Sequence, residues 1–501
     1  MKGWSVILLA FGAVLASCSG GKEDSSQPDP APSEITLSVP SISVSADGDS
    51  YSLTVTSPSR PKISGLPDWV RLTDGTYDKY KITIGLTVSS NETYDAREAE
   101  LVISASNVSS VLCKISQSGK AKPFLPQPGV DEYGWENAAS ASINMGTGWN
   151  LGNTLDSNSG DANHMWIEAY SKRTTEDYET AWGQAVTTRE LIHMFKEAGF
   201  SSIRVPVTWY PHIGTITLDN TDHWDMSTWT GYDVDPVWMA RVKEVVDYVI
   251  DEGMYCILNV HHDTGDASTA WLRADTQVYA AVKDRFCALW KQIAEEFKSY
   301  GQKLLFESFN EMLDAKGTWN YSTSEAHGVI NLYNADFVRT VRATGGNNAH
   351  RNLVLNVYCA SSSMDAIKDF VLPEDSAKNH LLAEVHSYAP YQFAFDVESG
   401  ARTEFDDYCA SEIKRQIDSF YEGLVSKGIP TVIGEYGCTS KRADAEIAKQ
   451  LACYVSAAAR YNIPCFCWML LSDGQDRSVP KWTKPALKDA IIKAYNESKQ
   501  D

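Results

Sequence analysis

The sequence predicts two folded parts in series: a small all-β sandwich and then a (β/α)8 barrel. Three observations carry this. From residue 35 to residue 117 short apolar runs alternate with polar residues and no helical stretch intervenes, the period-two pattern of strands buried on one face. From about residue 135 onward, short apolar runs alternate instead with long amphipathic stretches; about eight such repeats suit a parallel sheet closed into a barrel with helices outside. A doubly wound sheet would need a Gly-rich phosphate turn after its first strand, whereas Gly146-Thr147-Gly148 precedes that strand and lacks the rest.

In chain order, the first residues read as an export signal. Lys2 supplies a positive start, and Val6 to Leu15 form an apolar stretch too short to span a bilayer. Leu15-Ala16-Ser17-Cys18 resembles the lipobox of bacterial lipoproteins, which implies a signal peptide at residues 1–17 and a lipid attached to Cys18. Lys22-Glu23-Asp24 resembles an acidic surface-export cue. The implied location is the cell outer membrane, lipid-anchored and facing outward. Residues 18–33, rich in Ser, Pro and Asp, are expected to form a flexible tether. Nine cysteines remain besides Cys18, an odd number that cannot pair completely. Several sit in apolar runs such as Pro464-Cys465-Phe466-Cys467-Trp468, so buried free thiols are expected.

The sandwich is expected over residues 34–119, with strands at Ile35 to Val39, Tyr51 to Val55, Ile82 to Ile84 and Leu101 to Ile103. Leu66-Pro67-Asp68-Trp69-Val70, Asn91, Arg97 with Ala99 and Leu101, and Ile115-Ser116-Gln117-Ser118-Gly119 resemble BACON modules, which implies an immunoglobulin-like fold. Exposed aromatics do not cluster there, so a spacer role is expected. Pro123, Pro126 and Pro128 mark residues 120–134 as a semi-rigid linker.

Barrel strands are expected at Gly148 to Leu151, Ser202 to Val207, Tyr255 to Val260, Leu304 to Phe309, Leu353 to Val357, Leu381 to Val385, Thr431 to Gly434 and Cys465 to Trp468, within residues 135–501. Amphipathic stretches such as Thr188 to Ala198, Pro236 to Asp251, Val278 to Tyr300 and Ala443 to Tyr461 lie between them. Catalytic groups in such barrels come from the C-terminal ends of the strands. Here the second strand ends near Arg204, the third at His261-His262-Asp263, the fourth at Asn310-Glu311, the sixth at His386-Ser387-Tyr388, the seventh at Glu435-Tyr436 and the eighth at Trp468.

Glycosidic cleavage needs one carboxyl to protonate the leaving oxygen and another to attack the anomeric carbon or activate water. Glu311 and Glu435, on strands that face each other across a barrel mouth, meet that need. The surrounding stretches Gly148-Trp149-Asn150-Leu151-Gly152-Asn153-Thr154, Ile203-Arg204-Val205-Pro206-Val207, Asn259-Val260-His261-His262, Phe306-Glu307-Ser308-Phe309-Asn310-Glu311, His386-Ser387-Tyr388-Ala389-Pro390 and Ile433-Gly434-Glu435-Tyr436-Gly437 resemble glycoside hydrolase family 5, closest to its subfamily 4 of endo-β-1,4-glucanases and xyloglucanases. The resemblance implies Glu311 as general acid/base, Glu435 as nucleophile and a retaining mechanism. It implies that Asn310 bonds the sugar 2-hydroxyl, that Arg204 and Tyr388 hold the Glu435 carboxylate, and that His261 and His386 line the cleaved-sugar subsite over the ring of Trp468. His262 is expected at the sugar as well. Met312 follows Glu311 where the family more often has proline, which alters the start of a loop and leaves the catalytic groups in place.

Other chemistries fit less well. A net charge of −21 repels nucleic acid. His261-His262-Asp263 could ligate zinc, but neighbouring side chains at a strand end are expected to diverge, so no metal and no cofactor is expected. Ser361-Ser362-Ser363 lacks the Gly-x-Ser-x-Gly elbow of an esterase. The expected partner is a neutral β-glucan met by a monomer, xyloglucan foremost, with mixed-linkage glucan and cellulose derivatives as further substrates. Trp166, Trp182, Trp209, Trp271 and Trp319 are candidate platforms for it and equally candidates for the core. A surface lipoprotein that binds glycan without cutting it is the alternative reading.

Overall fold

The computed structural model describes residues 30–158, 174–221, 223–319, 322–398, 400–438, 442–468 and 475–499. Residues 1–17, expected as a signal peptide, Cys18, most of the expected tether and Trp166 lie outside the described residues. The chain divides into two compact units, Met1–Lys122 and Pro123–Asp501.

The first unit is a sandwich of two four-stranded sheets. One sheet joins Thr36–Leu37, Asp49–Thr56, Lys81–Val88 and Val70–Thr73 in antiparallel order. The other joins Ser41–Val44, Val111–Gln117, Arg97–Ser104 and Lys62–Ser64, with Ser41–Val44 running parallel to its neighbour. Alternate residues point inward, so Ile82, Ile84, Leu86 and Val88 meet Leu53, Val55, Leu101, Ile103, Cys113 and Ile115 in one core. The residues behind the BACON resemblance tie the strands together. Buried Gln117 donates from Nε2 to the carbonyls of Ser45, Ala46 and Ser89 and accepts from Arg97 Nε at 2.8 Å, while the Arg97 guanidinium lies over the Trp69 ring.

The second unit is a closed eight-stranded barrel whose strands follow one another in chain order, all parallel. The strands are Thr147–Asn150, Ser202–Val205, Tyr255–Asn259, Leu304–Glu307, Leu353–Asn356, Leu381–His386, Thr431–Tyr436 and Cys465–Cys467, numbered one to eight below. Each lies within a residue or two of its expected place, and every residue in them is buried, as both faces of a covered parallel sheet require.

Two successive inward layers explain how this barrel makes a site. The lower one packs Ile257, Leu305, Val354, Leu382, Val432 and Phe466 against Ala138, Ala141 and Met145 of the helix Ala138–Met145. Gly148 belongs to this layer because a Cβ there would come within 2.5 Å of the Phe466 ring. Two residues further along each strand the same face recurs, and there the residues are Asn150, Arg204, Asn259, Glu307, Asn356, Glu384, Gly434 and, just past the eighth strand, Trp468. Apart from the glycine and the tryptophan this layer is polar, and it forms the floor of the mouth.

One expectation changes, and one loop carries structure of its own. The linker is shorter than residues 120–134: from Pro123 on the chain belongs to the barrel unit, with Leu125 packed against its core, Phe124 N donating to Tyr421 Oη at 3.1 Å, and Asp131 paired with His350 at 2.8 Å. The loop between the second strand and Asp235 carries an antiparallel hairpin, Ile213–Leu218 with Trp224–Val234. All nine cysteines from Cys113 to Cys467 are free thiols, Cys287 and Cys453 half-buried and the rest buried.

Candidate active site

Arg204 organises the floor of the mouth. It is fully buried, and all five of its N–H groups have acceptors. Nε and Nη2 grip the two oxygens of Glu307 at 2.7 and 2.8 Å, Nη1 reaches Asn150 Oδ1 at 3.0 Å and Glu435 Oε1 at 2.9 Å, and Nη2 also reaches Asn310 Oδ1 at 2.8 Å. This fork geometry belongs to a guanidinium and not to an ammonium. Burial opposes the charge, but Glu307, Glu384 and Glu435 outweigh it and hold the Arg204 pKa well above its ordinary value. Glu307 is pushed down in turn: burial would raise it, and the Arg204 charge and hydrogen bonds win. Because Asn310 accepts through Oδ1, its NH2 is the end left for a ligand.

Above this floor stand Glu311 and Glu435, brought from the turn after strand four and the end of strand seven. One carboxylate oxygen of each and one ring nitrogen of His386 lie within 4.8 Å of one another. His386 Nδ1 is 2.8 Å from Glu311 Oε1 and 3.6 Å from Glu435 Oε2, and Tyr388 Oη donates to Glu435 Oε2 at 2.7 Å. A shift in strand pairing places His386 opposite Glu435 and leaves Gly434 unpaired at that step, a bulge of the kind that re-aims a neighbouring side chain. Burial would lower the His386 pKa, but Glu435, Glu311 and Glu384 carry it up to about 10.

The two neighbouring histidines of strand three do not diverge as expected. Their rings sit 4.5 Å apart, and Asp156, His261 and His262 each bring a ligand atom within 4.8 Å of the others. The tautomer argues against a metal there. Asn259 Oδ1 accepts from Val207 N at 3.1 Å, so its NH2 must donate, to Glu307 Oε1 at 2.9 Å and to His261 Nδ1 at 3.0 Å. His261 Nδ1 is therefore an acceptor, and Nε2 carries the proton of a neutral ring, a state that burial favours by holding the His261 pKa well below its usual value. Asp263 points elsewhere: it accepts from Trp209 N and from Trp271 Nε1. His261 stacks on Trp468, centroids 5.5 Å apart and planes 8° from parallel.

These groups line a cleft of about 920 Å³ that runs from His261, His262 and Trp468 past Glu311 and Glu435 to Trp319, Tyr391 and Tyr408. Trp319, Tyr391 and Tyr408 are exposed; Phe395 stacks on one face of Tyr391 and the Arg402 guanidinium lies over one face of Tyr408. Tyr408, Glu412 and Gln416, four residues apart on the helix Asp407–Gly423, line the same wall. Trp182 stands beside His262 with centroids 5.1 Å apart. Trp209 and Trp271 are core residues, a correction to their candidacy as platforms. Glu311, Glu435, His261, His262, Asn310, His386, Tyr388, Trp319 and Trp468 line the cleft and Arg204 lies on its floor, while Cys18 and Trp166 are outside the described residues. The sequence reading missed Asn150, Asn259, Glu307, Asn356 and Glu384. Their signal is a polar residue inside an apolar strand, two positions beyond the inward apolar one.

Residues 161–474 match the family described as cellulase (glycosyl hydrolase family 5), and residues 62–118 match BACON, a putative N-terminal binding domain. Endoglucanase A of Ruminococcus albus is 36% identical over 362 residues, 70% of this chain and 90% of that protein. A glycoside hydrolase family 5 enzyme from Prevotella bryantii, solved in complex with a xyloglucan tetradecasaccharide, is 38% identical with a TM-score of 0.63 over 72% of this chain and 99% of its own. A broad-specificity subfamily 4 endoglucanase from Ruminococcus champanellensis with bound cellotriose is 36% identical with a TM-score of 0.62 over 71% of this chain and 98% of its own.

Proposed function

The chain belongs to glycosyl hydrolase family 5, and on that premise we propose that it is a retaining endo-β-1,4-glucanase that cuts plant cell-wall glucans, xyloglucan foremost, with Glu311 as general acid/base and Glu435 as nucleophile. The observation that carries this reading is that one oxygen of Glu311 and one of Glu435 lie within 4.8 Å of each other, with His386 Nδ1 in reach of both carboxyls. Retaining enzymes hold their carboxyls about 5–5.5 Å apart, and inverting ones leave about 6.5–9.5 Å for a water.

In the first step Glu435 Oε2 or Oε1 bonds to the anomeric carbon while the glycosidic C–O bond breaks, its electron pair stays on the leaving oxygen, and the Glu311 proton goes to that oxygen. In the second step Glu311 takes a proton from water, whose oxygen displaces Glu435. Arg204 Nη1 and Tyr388 Oη favour the ionised nucleophile. The Asn310 NH2 suits the sugar 2-hydroxyl, where a contact that tightens in the transition state speeds the reaction. Xyloglucan is supported by the exposed aromatic and polar wall of Trp319, Tyr391, Tyr408, Glu412 and Gln416, and by the xyloglucan bound to the Prevotella relative. The Leu15 to Cys18 lipobox supports export and anchoring at the outer membrane through Cys18.

The test is product analysis on xyloglucan, mixed-linkage glucan, carboxymethyl cellulose, xylan and glucomannan, with NMR of the first anomer released. A β-anomer at first, and fastest cutting of xyloglucan into short decorated oligosaccharides, is the expected result. Faster cutting of unbranched glucans would make it a general endoglucanase, and an initial α-anomer would overturn the retaining assignment.

A further inference from the structure

Glu384 is a third carboxylate beneath the catalytic pair, without a role in the two steps above. It is fully buried on strand six, with Oε1 3.3 Å from His386 Nε2 and 3.4 Å from Arg204 Nε, and Oε2 accepting from Asn356 Nδ2 at 3.2 Å. The fold makes room for it: a Cβ on Gly434 would fall 1.6 Å from Glu384 Oε1. Burying a carboxyl costs several kcal/mol unless it is well partnered, so its neighbours define its use.

His386 has a carboxyl at each ring nitrogen, Glu384 at Nε2 and Glu311 with Glu435 at Nδ1. Nearby stand Arg204, whose charge is already spread over Glu307 and Glu435, Tyr388, which donates to Glu435, and His261, kept neutral by burial. Three buried carboxyls, Glu307, Glu384 and Glu435, thus face a single guanidinium, and an imidazolium is the second cation that the cluster calls for. Glu384 itself is pushed up by burial and by Glu307. Arg204 and the His386 hydrogen bond oppose that rise, and Oε1 faces both Arg204 Nε and His386 Nε2.

We propose that Glu384 is a positioning residue for the acid/base step: its carboxylate, set against His386 Nε2, stabilises the doubly protonated ring, so that Nδ1–H donates as well, Glu311 Oε1 accepts and the acid proton rests on Glu311 Oε2. With a neutral ring carrying its proton on Nε2, Nδ1 would offer a lone pair 2.8 Å from Glu311 and draw the acid proton away from the leaving oxygen. Glu384 therefore protects the proton that the first step spends. The inference rests on Glu311 as general acid/base.

The test uses the whole chain with aryl β-cellobiosides. A 2,4-dinitrophenolate leaving group needs no acid, and an unsubstituted phenolate does. General acid catalysis contributes about 10²–10⁴-fold. Glu384→Gln should lose about tenfold or more on the phenyl substrate and less than about threefold on the dinitrophenyl one, with the basic limb of its pH profile moved to lower pH. Equal loss on both substrates means a merely structural role and overturns the proposal. Glu311→Gln run in parallel separates the failures: if it does not itself steepen the leaving-group dependence, the acid/base assignment has failed. If it does and Glu384→Gln does not, only the positioning role has. Should Glu384→Gln not fold, ¹⁵N NMR of histidine-labelled unaltered protein decides. Protons on both His386 nitrogens at neutral pH are expected, and a lone pair at Nδ1 would overturn the proposal.

Discussion

Each N–H of Arg204 has a distinct acceptor, so the orientation of Glu435 is set from below by a group that cannot rotate without breaking four partners. The orientation from above rests on one hydroxyl, that of Tyr388. Tyr388→Phe removes a hydrogen bond to a charged group, worth about 1.5–3 kcal/mol, and at about 1.4 kcal/mol per decade kcat/KM should fall about 10–100-fold. The melting temperature should stay close to that of the unaltered protein. An unchanged rate would show that Arg204 alone positions the nucleophile. Most of the working residues were legible as polar residues ending apolar strands, from Arg204 and His261 to Glu311, His386 and Glu435. Asn150, Asn259, Glu307, Asn356 and Glu384 were not singled out: each shows as a polar residue inside an apolar strand, but a strand buried on both faces does not itself say which residues point into the barrel, so the signal is readable only once the inward apolar position is known.

At the scale of the element, strand seven shows how one glycine serves two neighbours. Gly434 leaves space for Glu384 and occupies the irregular step that sets Glu435 opposite His386. Gly434→Ala should cost about 1–3 kcal/mol from overpacking and lower activity steeply. Gly434→Ala combined with Glu384→Ala should be less unstable than the sum of the singles, as denaturant melts will show; strict additivity would mean that the two do not clash. The short turn Tyr210–His212 supplies a pH-dependent counterpart. His212 stacks on Trp238 with centroids 3.7 Å apart, is buried, and has no partner for Nε2 among the described residues. Burial lowers its pKa to about 3, below the unfolded value of about 6.5. The unfolded chain thus takes up a proton that the folded one refuses, and the stability present above about pH 6.5 is lost as pH falls toward 3. Relative to His212→Phe, the unaltered protein should lose about 1.4 kcal/mol per pH unit below 6; parallel stability curves for the two would contradict this. The eight strands were readable in order because each is an apolar run of the length a covered sheet needs. The hairpin Ile213–Leu218 with Trp224–Val234 was not, since it has no continuous apolar run and its pairing register shifts twice.

For the whole molecule, two separate cores imply two separately stable units: the sandwich packs around Leu53, Val55 and Ile103, and the barrel around its own helices and strands. The proline content of residues 120–134 suggested a linker, yet proline also stiffens a segment that is packed, and the sequence alone does not separate the two cases. The contacts do. Leu125 packs on the barrel core, Asn137 Nδ2 donates to Gln127 O at 3.0 Å, and Asp131 accepts from His350 and from the backbone of Tyr133 and Trp135. The His350 bond and the two backbone bonds hold the Asp131 carboxyl below its usual range against the opposing effect of burial. A chain beginning at Pro123 should therefore fold and hydrolyse soluble glucan with kcat/KM within about twofold of the full protein, a difference of less than about 0.5 kcal/mol. A chain beginning at Trp135, the boundary suggested by composition, loses Leu125 from the core and strips His350 of its carboxylate. Burial of one Leu side chain is worth about 1.5–3 kcal/mol, so this shorter chain should melt several degrees below the Pro123 chain even if its active site is intact. Equal melting temperatures for the two would return residues 123–134 to the linker, and loss of activity in both would mean that the barrel needs the sandwich.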